Sequence, residues 1–154
     1  MNFITGCALF FNMQALEEIG YYDENIFLYY EENDLYLRSL KKNYKIYLIE
    51  DAKIKHTGNR STDLINKEEI EINRNWHFMW STFYFHKKHY GLLTAYNKTL
   101  LKLLSAILKY LLFSILRQDY NKKIYYARMS GIYNAMVGNN SWFRTNLEKL
   151  IDKQ

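Results

Sequence analysis

Asn97-Lys98-Thr99-Leu100-Leu101-Lys102-Leu103-Leu104-Ser105-Ala106-Ile107-Leu108-Lys109-Tyr110-Leu111-Leu112-Phe113-Ser114-Ile115-Leu116-Arg117 is the stretch with the clearest periodicity in the chain. Lys98, Lys102, Ser105, Lys109 and Arg117 fall along one stripe, and Leu, Ile and Phe fill most of the rest, which predicts an amphipathic helix with a broad apolar face. Residues 100–116 are at the lower edge of what spans a hydrocarbon core, and Lys102 and Lys109 interrupt them. The pattern therefore predicts a helix lying in a membrane interface rather than one crossing it. A second reading is equally open, in which the helix packs into a core against the segment before it. That segment, from about residue 68 to 90, carries Ile70, Ile72, Trp76, Met79, Trp80, Phe83 and Tyr84 in an arrangement compatible with a long aromatic-rich helix closed by Gly91.

Outward from these helices, composition bounds the rest. A chain of 154 residues accommodates one ordinary domain. Hydrophobic residues at 49%, with 15 Tyr and 9 Phe, against 24% charged residues exclude a disordered chain, and the absence of Pro argues against Pro-rich linkers. Cys7 is the only cysteine, which excludes an internal disulfide or a cysteine-based zinc site and favours a reducing compartment. The net charge of +5 is spread over residues 38–45, 53–55, the helical stripe and Lys122-Lys123, interleaved with acids. With no nucleic-acid motif beside it, no nucleic-acid partner is expected. The apolar run near the N-terminus lacks a basic flank and does not read as a signal peptide.

The first part of the chain has a different texture. Residues 3–11 read as a buried strand interrupted at Gly6, and Met13, Leu16 and Ile19 as a short helix with Gly20 at its end. An aromatic loop over 21–30 leads to a helix opening at Glu31-Glu32-Asn33-Asp34 and closing with Arg38, Lys41 and Lys42, which suits the helix dipole. Residues 44–49 alternate as a strand, and 52–55 read as a second short one ending at His56. The expected fold class is α/β over residues 1–65, followed by an α-helical extension over 66–154.

The densest polar cluster is Glu31-Glu32-Asn33-Asp34. Adjacent carboxylates at a helix start point in different directions, so one can meet a substrate hydroxyl as general base while its neighbour holds the loop. The same acids also serve as ordinary helix-start residues, and both readings stand. His56, at a strand end, offers a neutral imidazole to a divalent metal or is simply a surface histidine. His77, His86 and His89 read as interfacial or packing residues.

The order of these features resembles family 2 glycosyltransferases, most closely their rhamnosyltransferase-like branch. The resemblance runs through Thr5-Gly6-Cys7-Ala8-Leu9-Phe10-Phe11, Ala15-Leu16-Glu17-Glu18-Ile19-Gly20-Tyr21-Tyr22-Asp23-Glu24 and Phe27-Leu28-Tyr29-Tyr30-Glu31-Glu32-Asn33-Asp34-Leu35-Tyr36-Leu37-Arg38. It continues through Tyr44-Lys45-Ile46-Tyr47-Leu48, Asp51-Ala52-Lys53-Ile54-Lys55-His56 and Arg60-Ser61, and so covers about residues 3–62.

That resemblance implies the C-terminal half of a GT-A catalytic domain of an inverting enzyme. Such an enzyme moves a sugar from a nucleotide-sugar donor to the hydroxyl of a glycan or lipid-linked acceptor, in cell-surface polysaccharide or glycolipid synthesis. Glu32 matches the family's base and Glu31 the acid before it, with Glu in place of the usual Asp at 32. Asp34 matches a further acidic position on the substrate side, suited to fixing the loop or helix. Gly6 matches a glycine that lets backbone approach the substrates, Arg60 and Ser61 a loop near the diphosphate, and His56 a residue that helps bind the donor's Mn or Mg ion. Glu50 stands where the family usually has Pro.

No Asp-X-Asp occurs in the sequence, so the other ligands of the divalent cation and the nucleotide pocket are expected on a separate N-terminal half. The chain is accordingly expected to be a fragment, inactive alone, cytoplasmic, and peripheral at the inner face of the membrane. The alternative expectation is a non-catalytic, membrane-associated interaction module or a degenerate remnant that pairs with a separate nucleotide-binding chain.

Overall fold

The computed structural model describes residues 8–49, 51–55 and 67–144. Five helices form along them: α1 (Met13–Ile19), α2 (Glu31–Lys41), α3 (Lys67–Tyr90), α4 (Leu92–Ile115) and α5 (Asp119–Met136). No strand is present among the described residues.

The α/β, GT-A-like expectation is therefore corrected: the described chain is all-helical. Residues 44–49 and 52–55, read as strands, are irregular, and those of 3–11 that are described form no strand. The physical reason is that alternation marks which side chains share a face but supplies no neighbour for the backbone ladder. Tyr47 and Leu48 are accordingly 76% and 86% exposed.

The helices that do form have local causes. Asn12 Oδ1 accepts hydrogen bonds from the backbone N–H groups of Gln14 and Ala15 at 3.0 and 3.3 Å, starting α1. Gly20, at φ +89°, ends it with its N–H on the Leu16 carbonyl. α2 has Glu31, Glu32 and Asp34 in its first turn and Arg38 and Lys41 in its last, complementing the backbone dipole at both ends. Gly91 alone separates α3 from α4, and its φ of +87° permits the reversal.

α3, α4 and α5 pack pairwise into a three-helix bundle. Its interior is built on Trp76, Trp80 and Phe83 of α3, against Ala95 of α4 and Ala127 and Ala135 of α5. Both indoles keep their polar end satisfied: Trp76 Nε1 donates to Ser130 Oγ at 3.1 Å and Trp80 Nε1 to the Asn139 carbonyl at 3.0 Å. The sequence pattern assigned no separate helix to 119–136, where α5 forms.

α4 begins at Leu92, earlier than the periodicity indicated, and it packs on the aromatic α3. The face it turns inward is nevertheless the small one, Ala95, Thr99 and Ala106, and most of its leucines point away from the bundle. No helix among the described residues is long and apolar enough to cross a membrane.

His77 is a packing residue, as its position in the aromatic segment suggested. It is fully buried, packs edge-on against Trp76 and tilted against Phe27, and is hydrogen-bonded to the Phe143 carbonyl at 2.6 Å and Ser141 Oγ at 3.0 Å. Burial pushes its pKa down to about 4, with the Phe143 carbonyl opposing and the Arg144 charge adding. The unfolded chain binds this proton near pH 6.5 and the folded chain does not, so stability falls as pH drops from about 6.5 towards 4 and then levels off for this group. Urea titrations across that window should show a loss of about 2–3 kcal/mol in wild type and a much smaller one in His77→Gln. Equal slopes in both would remove His77 as the cause.

Candidate functional site

The loop between α1 and α2 is shaped by its own polar groups first. Asp23 Oδ1 accepts from the backbone and side-chain nitrogens of Asn25 at 3.0 and 2.8 Å, an Asx turn that sends Ile26 into the interior. Phe27 then packs tilted against His77, and the Leu28 carbonyl accepts from Ser81 Oγ of α3 at 2.8 Å.

The next two residues, Tyr29 and Tyr30, are both left-handed, at φ +66° and +72°. For side-chain-bearing residues each costs of order 1–2 kcal/mol. Aromatic contacts hold them there: Tyr30 lies 4.8 Å from Phe85 and 6.2 Å from Phe78, and Tyr29 is edge-on to Phe78 at 5.5 Å. The turn delivers Glu31 and Glu32 to the first positions of α2, both half-buried.

Burial raises the Glu31 pKa above the usual carboxylate range; a hydrogen bond from its own backbone opposes this, while the charge of Glu32 and a side-chain hydrogen bond with it add to the rise. Glu31 Oε2 is buried with no hydrogen-bond partner. Burial, with the Glu32 and Glu31 charges adding, also raises the Tyr22 hydroxyl above its ordinary value. The result is two adjacent carboxyls in a shared, partly desolvated position, with one pKa raised. Groups so arranged are suited to accepting or passing a proton.

Asp34 is different in kind. Its side chain is wholly buried, and its oxygens are taken by Arg38 Nε at 2.8 Å, Lys88 Nζ at 2.6 Å and His89 Nε2 at 2.7 Å. Burial alone would raise its pKa, but the hydrogen bonds from Lys88, His89 and Arg38 prevail and hold it below the ordinary value. Arg38 also donates to the carbonyls of Ile19, Gly20 and Tyr21, tying the end of α1 to α2. Lys88 reaches Asp23 as well, at 2.7 Å, and Tyr84 donates to the same carboxylate at 2.9 Å. Asp34 thus fixes the loop and the helix to α3, and no part of it faces solvent for a substrate.

Lys88 and His89 are partners that spacing could not supply, since His89 lies 55 residues from Asp34. His89, expected to be interfacial or packing, in addition holds Asp34 through this hydrogen bond. Only the position of both at the end of α3, where a helix attracts cations and a carboxylate can meet them, hinted at it.

Gly6, His56, Arg60 and Ser61 lie outside the described residues. Among the described residues no group of three His, Cys, Asp or Glu converges as a metal site. Among the described residues no third His, Cys, Asp or Glu joins Glu31 and Glu32 as a metal donor. A groove of about 290 Å³ on the bundle, lined by Ile72, Tyr110, Lys122, Lys123 and Tyr126, contains none of the candidate carboxylates. Compared with known proteins, the chain matches no family model, no curated protein and no solved structure.

Proposed function

We propose that this chain contributes the carboxylate base and acceptor side of an inverting glycosyltransferase, of the kind the motif order over residues 3–62 resembles. The observation that carries the proposal is the double left-handed turn at Tyr29–Tyr30, which presents the half-buried Glu31–Glu32 pair while Asp34, two positions on, is locked inside. In this reading Glu32 takes the proton from the acceptor hydroxyl as its oxygen bonds to the anomeric carbon of the donor. The bond from that carbon to the donor diphosphate breaks, and the nucleoside diphosphate leaves with the electron pair. Glu31 orients Glu32 through their hydrogen bond.

The donor nucleotide and its divalent cation would be held largely by a separate nucleotide-binding half, because the sequence has no Asp-X-Asp. The acceptor is a glycan or a lipid-linked saccharide, and the chain works from the cytoplasmic side, peripheral to the membrane. In a complex with such a nucleotide-binding chain, Glu32→Gln should lower kcat by ~100-fold or more at unchanged helix content. Full activity in Glu32→Gln would remove it as the base.

A second reading, a non-catalytic, membrane-associated interaction module that pairs with a separate nucleotide-binding chain, draws on the same uncovered leucines of α4. It predicts a complex with a partner chain and no turnover in any pairing.

A further inference from the structure

We propose that the outer face of α4 docks on an anionic lipid surface, with the helix lying in the plane of the interface and the bundle standing on it. This deepens the peripheral placement above and is independent of sugar transfer, because vesicle binding and turnover are read by different assays.

The way α4 is turned decides what its outer face can meet. Its small residues, Ala95, Thr99 and Ala106, are buried against the bundle, while Leu93, Leu101, Leu104, Leu108, Leu111 and Ile115 lie outward. Leu93, Leu101, Leu108 and Ile115 are 67–79% exposed. At 1.5 Å per residue these positions run for about 33 Å along one ridge. Singly exposed leucines are normal on a protein surface, but a continuous apolar ridge along a whole helix marks an interaction site.

Charge identifies what covers it. α4 contains no Asp or Glu, and Lys98, Lys102 and Lys109 follow one edge of the apolar face. A bilayer with anionic headgroups meets both features together, acyl chains accepting the leucines and headgroups the lysine edge. A second copy of α4 would bring leucines but also the same cations, with no carboxylate from that helix to pair them.

Lys102 Nζ lies 5.4 Å from the centre of the Phe78 ring, and Tyr29 and Tyr30 pack against that same ring. The turn leading to Glu31 therefore shares the Phe78 ring with one lysine of that edge.

The test is flotation of the full chain with phosphatidylcholine vesicles, with and without phosphatidylglycerol. Binding should be strong to the anionic vesicles and should fall on raising the salt concentration. Leu104→Glu/Leu108→Glu should reduce it at least ~tenfold without loss of helix content, because both side chains are outside the core. Lys98→Gln/Lys109→Gln should lower it severalfold on anionic vesicles only. An environment-sensitive dye on Leu108→Cys, in a Cys7→Ser background, should shift to the blue on vesicles, and the same dye on Tyr133→Cys of α5 should not. Absence of binding to both vesicle types, or binding unchanged by the leucine substitutions, would overturn the proposal. So would a stable dimer that Leu104→Glu/Leu108→Glu dissociates while vesicles are ignored, since a second copy would then be the cover.

Discussion

Asp34→Asn is expected to destabilise the protein by about 2–4 kcal/mol in urea titrations, among the larger losses any polar substitution here should cause. The side chain is 0% exposed, and removing its charge leaves Arg38 and Lys88 facing a neutral amide. Arg38 and Lys88 are 20% and 29% exposed, so water recovers part of their solvation, and the loss should fall short of that for a fully buried pair. Because the folded state holds the Asp34 pKa below its ordinary value, its stabilisation is complete above about pH 4 and drains away as pH falls through the folded value. Lys88→Met should cost less in the Asp34→Asn background than in wild type, since there only the ion pair with Asp23 is left to lose. A loss below about 0.5 kcal/mol for Asp34→Asn, within the range of ordinary surface substitutions, would show that Asp34 is not the tie between α2 and α3.

Gly131→Ala should cost about 2 kcal/mol or more, even though alanine is the better helix former by about 1 kcal/mol. α5 crosses α3 at Gly131, and a Cβ there would run into the Trp76 carbonyl oxygen while lying 3.2 Å from its carbonyl carbon and 3.3 Å from the Trp80 nitrogen. None of these is the tip of a flexible side chain, so relief requires moving α5 as a whole. The near-ultraviolet circular dichroism of the buried Trp76 and Trp80 should change together with the midpoint of thermal unfolding. Gly138→Ala is the control: with open space around it and only its φ of +84° to satisfy, it should cost about 1 kcal/mol. A neutral or stabilising Gly131→Ala would mean that the helices do not meet there.

These two residues also show what could be read from the sequence and what could not. α1 and α2 are legible because caps and charged ends are local, and α3 and α4 because their periodicity is long. α5 is not, since the residues it buries are Ala127, Gly131, Ile132 and Ala135, whereas its large Tyr120, Tyr126 and Tyr133 stand in solvent. Burial by small residues writes almost no hydrophobic signal. The expected strands at 44–49 and 52–55 failed for the opposite reason, a clear pattern with no neighbouring strand among the described residues to complete it. In the candidate site, the acidic cluster was visible as a cluster. Its division into a presented pair and a locked Asp34 depends on Lys88 and His89, which only the fold brings near.

For α4 the sequence left two uses of one helix open, packing in a core and lying in a membrane interface. The bundle takes the small face, and the leucine face is left outward. The same lysines that interrupt the apolar run are the feature that distinguishes a lipid surface from a second copy.

The role proposed for the Tyr29–Tyr30 turn is to present Glu31 and Glu32 for sugar transfer. Its most direct test is the product formed when the chain, in complex with a nucleotide-binding partner, is given nucleotide sugars and saccharide acceptors. One nucleoside diphosphate should be released per glycosidic bond formed, with inverted configuration at the anomeric carbon, and Glu32→Gln should abolish both release and transfer with helix content unchanged. Transfer that proceeds undiminished in Glu32→Gln, or with retained configuration, would contradict it.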